Sequence, residues 1–197
     1  MARTIAKDHA EKRAQILKGA ARVFADEGFD RASMAKLAAE CGISKANIYH
    51  YYDSKDALLF DLLDHYLSAL RDRVCGLDLS GKSPREQLAL TVAEILHAYQ
   101  GADDEHRVQS AGLSALPEEQ QQVLKAYQRD MVRHMSDILT RIAPALADDP
   151  VKLRAATMSI YGMLNWFYMW NTRADAAARE AYARTVSDLA LGGLTAL

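Results

Sequence analysis

The strongest constraint on the fold comes from residues 33–52, which read SMAKLAAECGISKANIYHYY. Two short stretches with helical spacing of apolar residues lie on either side of Gly42, whose missing Cβ permits a tight turn. Ala38 lies four residues before this glycine and Ile48 six residues after it, so small and apolar residues stand where two crossing helices would touch. This spacing predicts a helix-turn-helix; the alternative is a helical hairpin that packs only for stability.

The rest of the chain is predicted to be helical as well. Apolar residues recur at helical spacing, no segment alternates with period two, and there is neither an Asn-Gly hairpin signal nor an internal repeat. Cap residues set the expected starts: Asp53 or Ser54 for the fourth helix, and the capping box Ser83-Pro84-Arg85-Glu86 for the fifth. The predicted helices cover 8–27, 34–41, 45–51, 54 to at least 70, 83–99, 105–116, 117–142, 149–171 and 175–191. The predicted fold class is therefore all-α, with about nine helices.

Composition excludes several classes of protein. Half of the residues are hydrophobic and a quarter are charged, as in most soluble globular proteins. The N-terminus has no apolar segment of the signal-peptide type, and the longest strongly apolar stretch, 163–170, is far shorter than the roughly 20 residues that span a bilayer. Two cysteines are too few for a disulfide framework or a four-ligand zinc site. We expect a cytoplasmic protein without a membrane segment, a metal or a cofactor.

The charge is distributed unevenly along the chain. Residues 1–56 contain ten Lys and Arg against eight Asp and Glu, whereas the remaining residues contain fourteen against eighteen. The net charge of −2 therefore conceals a mildly basic N-terminal part and an acidic body. Such an asymmetry is typical of a protein that presents one end to an acidic polymer.

Several stretches within residues 9–59 resemble the DNA-binding domain of TetR/AcrR-type bacterial transcriptional regulators. They are Ile16 to Phe24, Gly28-Phe29, Leu37-Ala38, Cys41 to Lys45, Ile48-Tyr49, and Tyr52 to Lys55 with Leu58-Leu59. The resemblance implies a helix-turn-helix DNA-binding domain in residues 1–53 and a helical ligand-binding and dimerisation domain in residues 54–197. One departure is Tyr51, where the family often has histidine. Because a tyrosine hydroxyl can also donate to a phosphate, this changes one contact without removing the function.

The residues of the second helix of the predicted helix-turn-helix, 45–51, indicate how this part of the chain could contact operator DNA. Lys45 is best placed to reach a base edge or a phosphate in the major groove, and Asn47 can form two hydrogen bonds with adenine. The other candidate DNA-binding residues, expected at the phosphate backbone, are Ser33, Ser44, Tyr49, His50, Tyr51 and Lys55. For Tyr49 and Lys55, phosphate contact is what the resemblance implies.

Residues 158–170, MSIYGMLNWFYMW, are apolar on more than one face of a helix, which predicts that both the core and a partner cover them. The alternative is that helices of the same chain cover them completely. The resemblance favours a homodimer formed by the last two helices, and a two-fold dimer would read a palindromic operator. The candidate interface residues are Met158, Phe167, Trp170, Tyr182, Val186 and Leu189.

A pocket for a small-molecule effector is also implied by the resemblance. The candidate lining residues are Tyr66, Leu70, Val92, Tyr99, Arg107, Tyr127, Met131, Met135, Tyr161, Asn165 and Trp166, although Met and Tyr stripes more often belong to a core. The segment 161–170 is similar to one found in regulators that respond to acyl-coenzyme A thioesters. The phosphates of CoA would need cations, for which Arg71, Arg73, Arg107, Arg129 and Arg133 are candidates.

Other classes of function make distinct demands on the sequence. An enzyme would need a catalytic constellation, but the chain has no HExxH motif, no Gly-rich phosphate loop and no G-x-S-x-G elbow, so no catalytic residue is expected. A helical adaptor without DNA affinity would need protein to cover residues 44–51.

We expect a repressor that an effector, such as an acyl-CoA thioester, releases from DNA. The alternative is a repressor of a multidrug efflux gene that responds to a lipophilic compound.

Overall fold

The structure is a computed structural model that describes residues 2–171 and 174–195, with side chains from residue 9 onwards. Within these residues there are nine α-helices and no strand, which confirms the predicted class. The helices are α1 (Ala2–Glu27), α2 (Met34–Glu40), α3 (Lys45–Tyr51), α4 (Lys55–Cys75), α5 (Pro84–Ala98), α6 (Asp103–Gly112), α7 (Glu118–Ile142), α8 (Pro150–Trp170) and α9 (Ala176–Leu194). None of them contains an apolar stretch long enough to cross a membrane.

The helix starts follow the caps expected from the sequence. Ser54, rather than Asp53, caps α4, since its hydroxyl accepts a hydrogen bond from the Ala57 N–H at 3.0 Å. The capping box of α5 is complete, because Ser83 and Glu86 each accept a hydrogen bond from the other's backbone N–H. The remaining side-chain caps are Ser33 for α2, Ser44 for α3, Asp149 for α8 and Asp175 for α9.

Two helices differ most from the predicted bounds, and α9 ends three residues later than predicted, at Leu194. The backbone of α1 begins at Ala2, six residues earlier than expected, because residues 2–7 contain neither proline nor glycine to prevent helix formation. α6 ends at Gly112 and continues as a 3-10 turn, Leu113–Ala115. Pro117 explains this ending, since a residue before proline avoids the α conformation and Leu116 is extended at φ −86° and ψ 154°.

The chain divides into two compact units. Unit 1 comprises the residues up to 67 together with 103–125, and unit 2 comprises 68–102 and the residues from 126 onwards. α6 belongs to unit 1 because it packs on α1: Lys18 bonds Glu105 at 2.9 Å, and Arg107 bonds the carbonyl oxygen of Ala25 at 2.8 Å. These units describe packing, and the functional boundary between residues 53 and 54 stays a prediction.

The core of unit 1 is built from α1, α2, α3 and the first half of α4. Its fully buried side chains include Ile16, Leu37, Ile48 and Leu58. Gly28 ends α1 at a φ of +82°, and the rings of Phe24 and Phe29 lie 5.5 Å apart, as expected for a glycine-terminated helix. This core fixes α2 and α3 against α1.

The core of unit 2 is formed mainly by α5, α7, α8 and α9. α5 contributes Leu88, Val92 and Leu96, and α9 contributes Val186; all four are fully buried. α8 and α9 are joined by Phe167 and Tyr182, whose rings stack with centroids 4.6 Å apart.

We predict that Gly19→Ala lowers the free energy of unfolding in the wild-type background. A Cβ at Gly19 would lie 2.6 Å from Cys41 Sγ, so α1 or the thiol must move. In a Cys41→Ala background the clash is absent, and the same substitution should stabilise the protein by about 0.5–1 kcal/mol through helix propensity. Urea unfolding of the four proteins measures this coupling. Equal effects of Gly19→Ala in both backgrounds would contradict it.

Candidate DNA-binding surface

α3 turns one residue inward and leaves most of the others on the surface. Ile48 is fully buried in the core of unit 1, whereas Lys45, Tyr49 and His50 are exposed. Asn47 and Tyr51 are half-buried. We call the five polar residues of this helix, Lys45, Asn47, Tyr49, His50 and Tyr51, the α3 surface.

Ser33 and Ser44 combine a structural role with a free donor. The Ser33 hydroxyl accepts a hydrogen bond from the Lys36 N–H at 3.3 Å, and the Ser44 hydroxyl accepts one from the Asn47 N–H at 3.1 Å. A serine hydroxyl that accepts such a bond still carries its own O–H donor. Both exposed serines therefore can cap their helices and donate to a phosphate oxygen.

The α3 surface includes an aromatic contact that sequence reasoning missed. The His9 ring of α1 stacks on Tyr51 with centroids 4.9 Å apart, and His50 meets the same ring edge-on at 5.9 Å. His9 lies 42 residues before Tyr51, and no local pattern signals that contact. The stacking holds the Tyr51 ring in place beside the exposed residues of α3.

Lys55 contacts the protein's own backbone in this structure. Its ammonium donates to the carbonyl oxygens of Phe29, Asp30 and Ala32 at 2.8, 3.1 and 3.3 Å. It also lies 4.4 Å from the centroid of the Phe29 ring. An ammonium has three donors, and in this arrangement the three carbonyls use all of them. The phosphate contact that the resemblance implies for Lys55 stays a prediction.

A second polar contact joins the end of α3 to α4 and α1. Asp61 accepts hydrogen bonds from the Tyr52 hydroxyl and from Arg13, whose Nε lies 2.9 Å from Asp61 Oδ2 and whose second donor bonds Oδ1. Tyr52 is buried. Burial and the hydrogen bond to the Asp61 carboxyl group raise the pKa of Tyr52, so its hydroxyl remains a donor.

The interface residues predicted on α8 and α9 separate into two groups. Met158, Trp170 and Leu189 are exposed. Phe167 and Val186 are buried within unit 2, so their prediction as interface residues is wrong. Helix α8 is apolar on two faces, and periodicity does not say which face a partner covers. Tyr182 is half-buried, and its hydroxyl donates to the Met163 carbonyl at 3.0 Å.

Part of the predicted effector set lies together in the interior of unit 2. The Tyr99 hydroxyl donates to Asn165 Oδ1 at 2.7 Å, and the Tyr161 hydroxyl donates to the Met131 carbonyl at 2.9 Å. Burial raises the pKa of both tyrosines, which are therefore neutral. The other members of the set that are buried in unit 2 are Leu70, Val92 and Met135.

The remaining predicted effector residues lie elsewhere. Trp166 is 60% exposed, so its inward orientation was predicted wrongly. Tyr66 and Arg107 belong to unit 1: Tyr66 bonds His106 at 3.1 Å, and Arg107 is held at the end of α1 by Ala25 and Asp26. Tyr127 is half-buried below the guanidinium of Arg71, which lies 5.1 Å from its ring centroid.

Comparison with known proteins identifies the family. Residues 16–62 match the model of bacterial regulatory proteins of the tetR family, and residues 81–194 match the model of the tetracyclin repressor-like C-terminal domain. The chain belongs to the TetR family of transcriptional regulators. Its family and its relatives are regulators and not enzymes.

Individual relatives agree with this assignment. A TetR-family regulator from Bordetella parapertussis is 32% identical, with a TM-score of 0.86 over 94% of this chain and 96% of that one. The uncharacterized HTH-type regulator YerO of Bacillus subtilis is 38% identical over 40% of this chain, and the match spans only 28% of YerO. The structure of AibR with isovaleryl coenzyme A and operator DNA has the same fold, with 22% identity, a TM-score of 0.76, and coverage of 90% and 97%.

Proposed function

We propose that this TetR-family protein is a cytoplasmic repressor that binds a palindromic operator as a homodimer and is released by a small-molecule effector. The observation that carries the proposal is the α3 surface. A helix whose only fully buried residue is Ile48 presents polar and cationic side chains outward, at the position of a recognition helix.

The α3 surface and the two capping serines divide into residues that contact bases and residues that contact the phosphate backbone. Asn47 carries the amide that pairs with an adenine edge in the major groove, and Lys45 carries a cation that reaches a guanine edge and neutralises a neighbouring phosphate. Ser33, Ser44, Tyr49, His50 and Tyr51 would hold the phosphate backbone. Because a dimer contributes two such helices, the operator would consist of two half-sites related by two-fold symmetry.

We predict that Lys45→Ala and Tyr49→Ala each weaken operator binding without unfolding the protein, since both side chains are exposed. The measurement is a titration of DNA from upstream of the protein's own gene, or of a duplex that the wild-type protein selects from a random pool. The matched control is Lys152→Ala, an exposed lysine of α8. Wild-type affinity in both α3 variants would contradict the assignment.

The exposed apolar residues of unit 2 support the homodimer. Met158, Trp166, Met169 and Trp170 on α8 and Leu189 on α9 are large and exposed, and we call them the α8–α9 apolar surface. A monomer rarely exposes so many large apolar side chains on two neighbouring helices. A second copy of the same surface would cover them in a two-fold interface.

We predict that Leu189→Arg shifts the protein from dimer towards monomer and weakens binding to a palindromic duplex, because it places a charge within a desolvated interface. Leu189 is 61% exposed, so the subunit itself should remain folded. Sedimentation of the wild type should give about twice the chain mass of 21.8 kDa. Val123→Glu, at an exposed valine of unit 1, is the control. A wild-type monomer at micromolar concentration would exclude this interface.

The interior of unit 2 supports an effector with an uncharged, apolar body. Tyr99, Tyr161 and Asn165 offer neutral polar atoms, while Met131 and Met135 offer adaptable apolar surface. An acyl or aryl group with a carbonyl oxygen matches this chemistry. An acyl-CoA thioester is our first candidate, and the likeness to AibR in complex with isovaleryl coenzyme A is one of fold only.

The arginines restrict how the CoA moiety could be held. Arg71 is paired with Asp72 and Asp130, and Arg73 is paired with Glu94. Arg107 and Arg133 also pair with carboxylates. Phosphates would therefore have to compete with carboxylates for four of the five predicted cations. A neutral lipophilic compound makes no such demand, and this favours the multidrug-efflux regulator as the second candidate.

We predict that phenylacetyl-CoA or a long-chain acyl-CoA lowers operator affinity roughly 5- to 150-fold, the usual range of allosteric coupling. The effect requires that the ligand bind the DNA-free conformation more tightly than the operator-bound one. Free CoA and the free acids are the controls, and fluorescence anisotropy of the labelled duplex is the measurement. Release by an uncharged lipophilic drug but by no thioester would replace the first candidate with the second.

A further inference from the structure

α4 holds the chain where it enters the helix-turn-helix. The Lys55 ammonium bonds three carbonyls of residues 29–32, and the last of these belongs to Ala32. The next residue, Ser33, is the N-cap of α2. The first turn of α4 therefore fixes the loop that sets where α2 begins.

α4 also holds the chain where it leaves the helix-turn-helix. Tyr52 follows the last residue of α3, and its backbone N–H still bonds the Ile48 carbonyl at 3.0 Å. Its buried hydroxyl donates to Asp61. Arg13 of α1 bonds both oxygens of the same carboxylate, so the acceptor is itself fixed in position.

We propose that Lys55 and Asp61 are positioning residues for operator recognition, acting through the two ends of the α2–α3 segment. Together with Tyr52 and Arg13 they form what we call the α4 clamp. Lys55 and Asp61 lie six residues apart, less than two turns of one helix, so a single rigid element sets both ends. The inference rests on the proposed binding of operator DNA by the α3 surface.

The clamp affects binding through the fraction of molecules whose α2–α3 segment is positioned to match the operator. If α2 and α3 can shift, only a fraction of molecules has the recognition helix in register, and the apparent affinity falls by that fraction. Binding to DNA of mixed sequence depends on phosphate charge and tolerates such a shift. Loss of the clamp therefore lowers the ratio of specific to non-specific affinity.

The first experiment uses Tyr52→Phe, which removes one hydroxyl and no charge. With a duplex that the wild-type protein selects from a random pool, affinity should fall roughly tenfold, the order expected when a hydrogen bond to a charged group is lost. Affinity for a mixed-sequence duplex should stay the same. Val108→Ala, a buried α6 variant of unit 1 outside the clamp, is the stability control and should keep the ratio. An unchanged ratio for Tyr52→Phe overturns the clamp, and Asp61→Asn provides a second variant for the same measurement.

The second experiment distinguishes a positioning lysine from a phosphate contact. A plot of the logarithm of affinity against the logarithm of salt concentration has a slope of about −0.9 per neutralised phosphate. Because a dimer loses one contact in each subunit, the magnitude of this slope should fall by about 1.8. Lys45→Met should show this reduction. Lys55→Met should lower specific affinity with the slope unchanged. A reduced slope for Lys55→Met overturns the clamp, whereas unchanged affinity and slope for Lys45→Met overturn the proposed DNA interface instead.

Discussion

A helix of seven residues has no stability of its own in water, and unit 1 is organised around that constraint. α3 is held by one fully buried side chain, Ile48, by the Ser44 cap at its start and by the Tyr52–Asp61 bond at its end. These attachments use the backbone, one inward face and the flanking residues. The outward side chains, Lys45 among them, are consequently free to serve recognition while the direction of the helix is fixed.

Much of the secondary structure could be predicted because caps and breakers act locally. Ser83 and Glu86 satisfy each other's backbone donors within four residues, and Gly28 ends α1 in a conformation that costs glycine little. The start of α1 was missed because residues 2–7 contain no cap or breaker that marks where the helix begins. The 3-10 ending of α6 likewise follows from Pro117, whose effect extends to the residue before it.

The partners of individual side chains could not be predicted in the same way. A helical repeat shows which face Lys55 or Phe167 occupies, but not what that face meets. Lys55 contacts carbonyls 23 to 26 residues earlier, and Asp61 meets Arg13 across 48 residues. On α8, Phe167 and Trp166 are adjacent and both aromatic, yet one is buried and the other exposed. With apolar residues on two faces, composition alone gives no means of separating the core from a partner surface.

The position of the clamp on α4 bears on how an effector could act. α4 carries Lys55 and Asp61 in its first two turns and is one continuous helix from Lys55 to Cys75. A helix transmits a rotation or a tilt along its length, because each turn is hydrogen-bonded to the next. Both ends of the α2–α3 segment are tied to α4 by the Lys55 and Asp61 contacts, so in the proposed switch a movement of α4 would displace α2 and α3 together. The proposed switch would then act on the match between the α3 surface and DNA, where a coupling of about 1–3 kcal/mol changes the affinity roughly 5- to 150-fold.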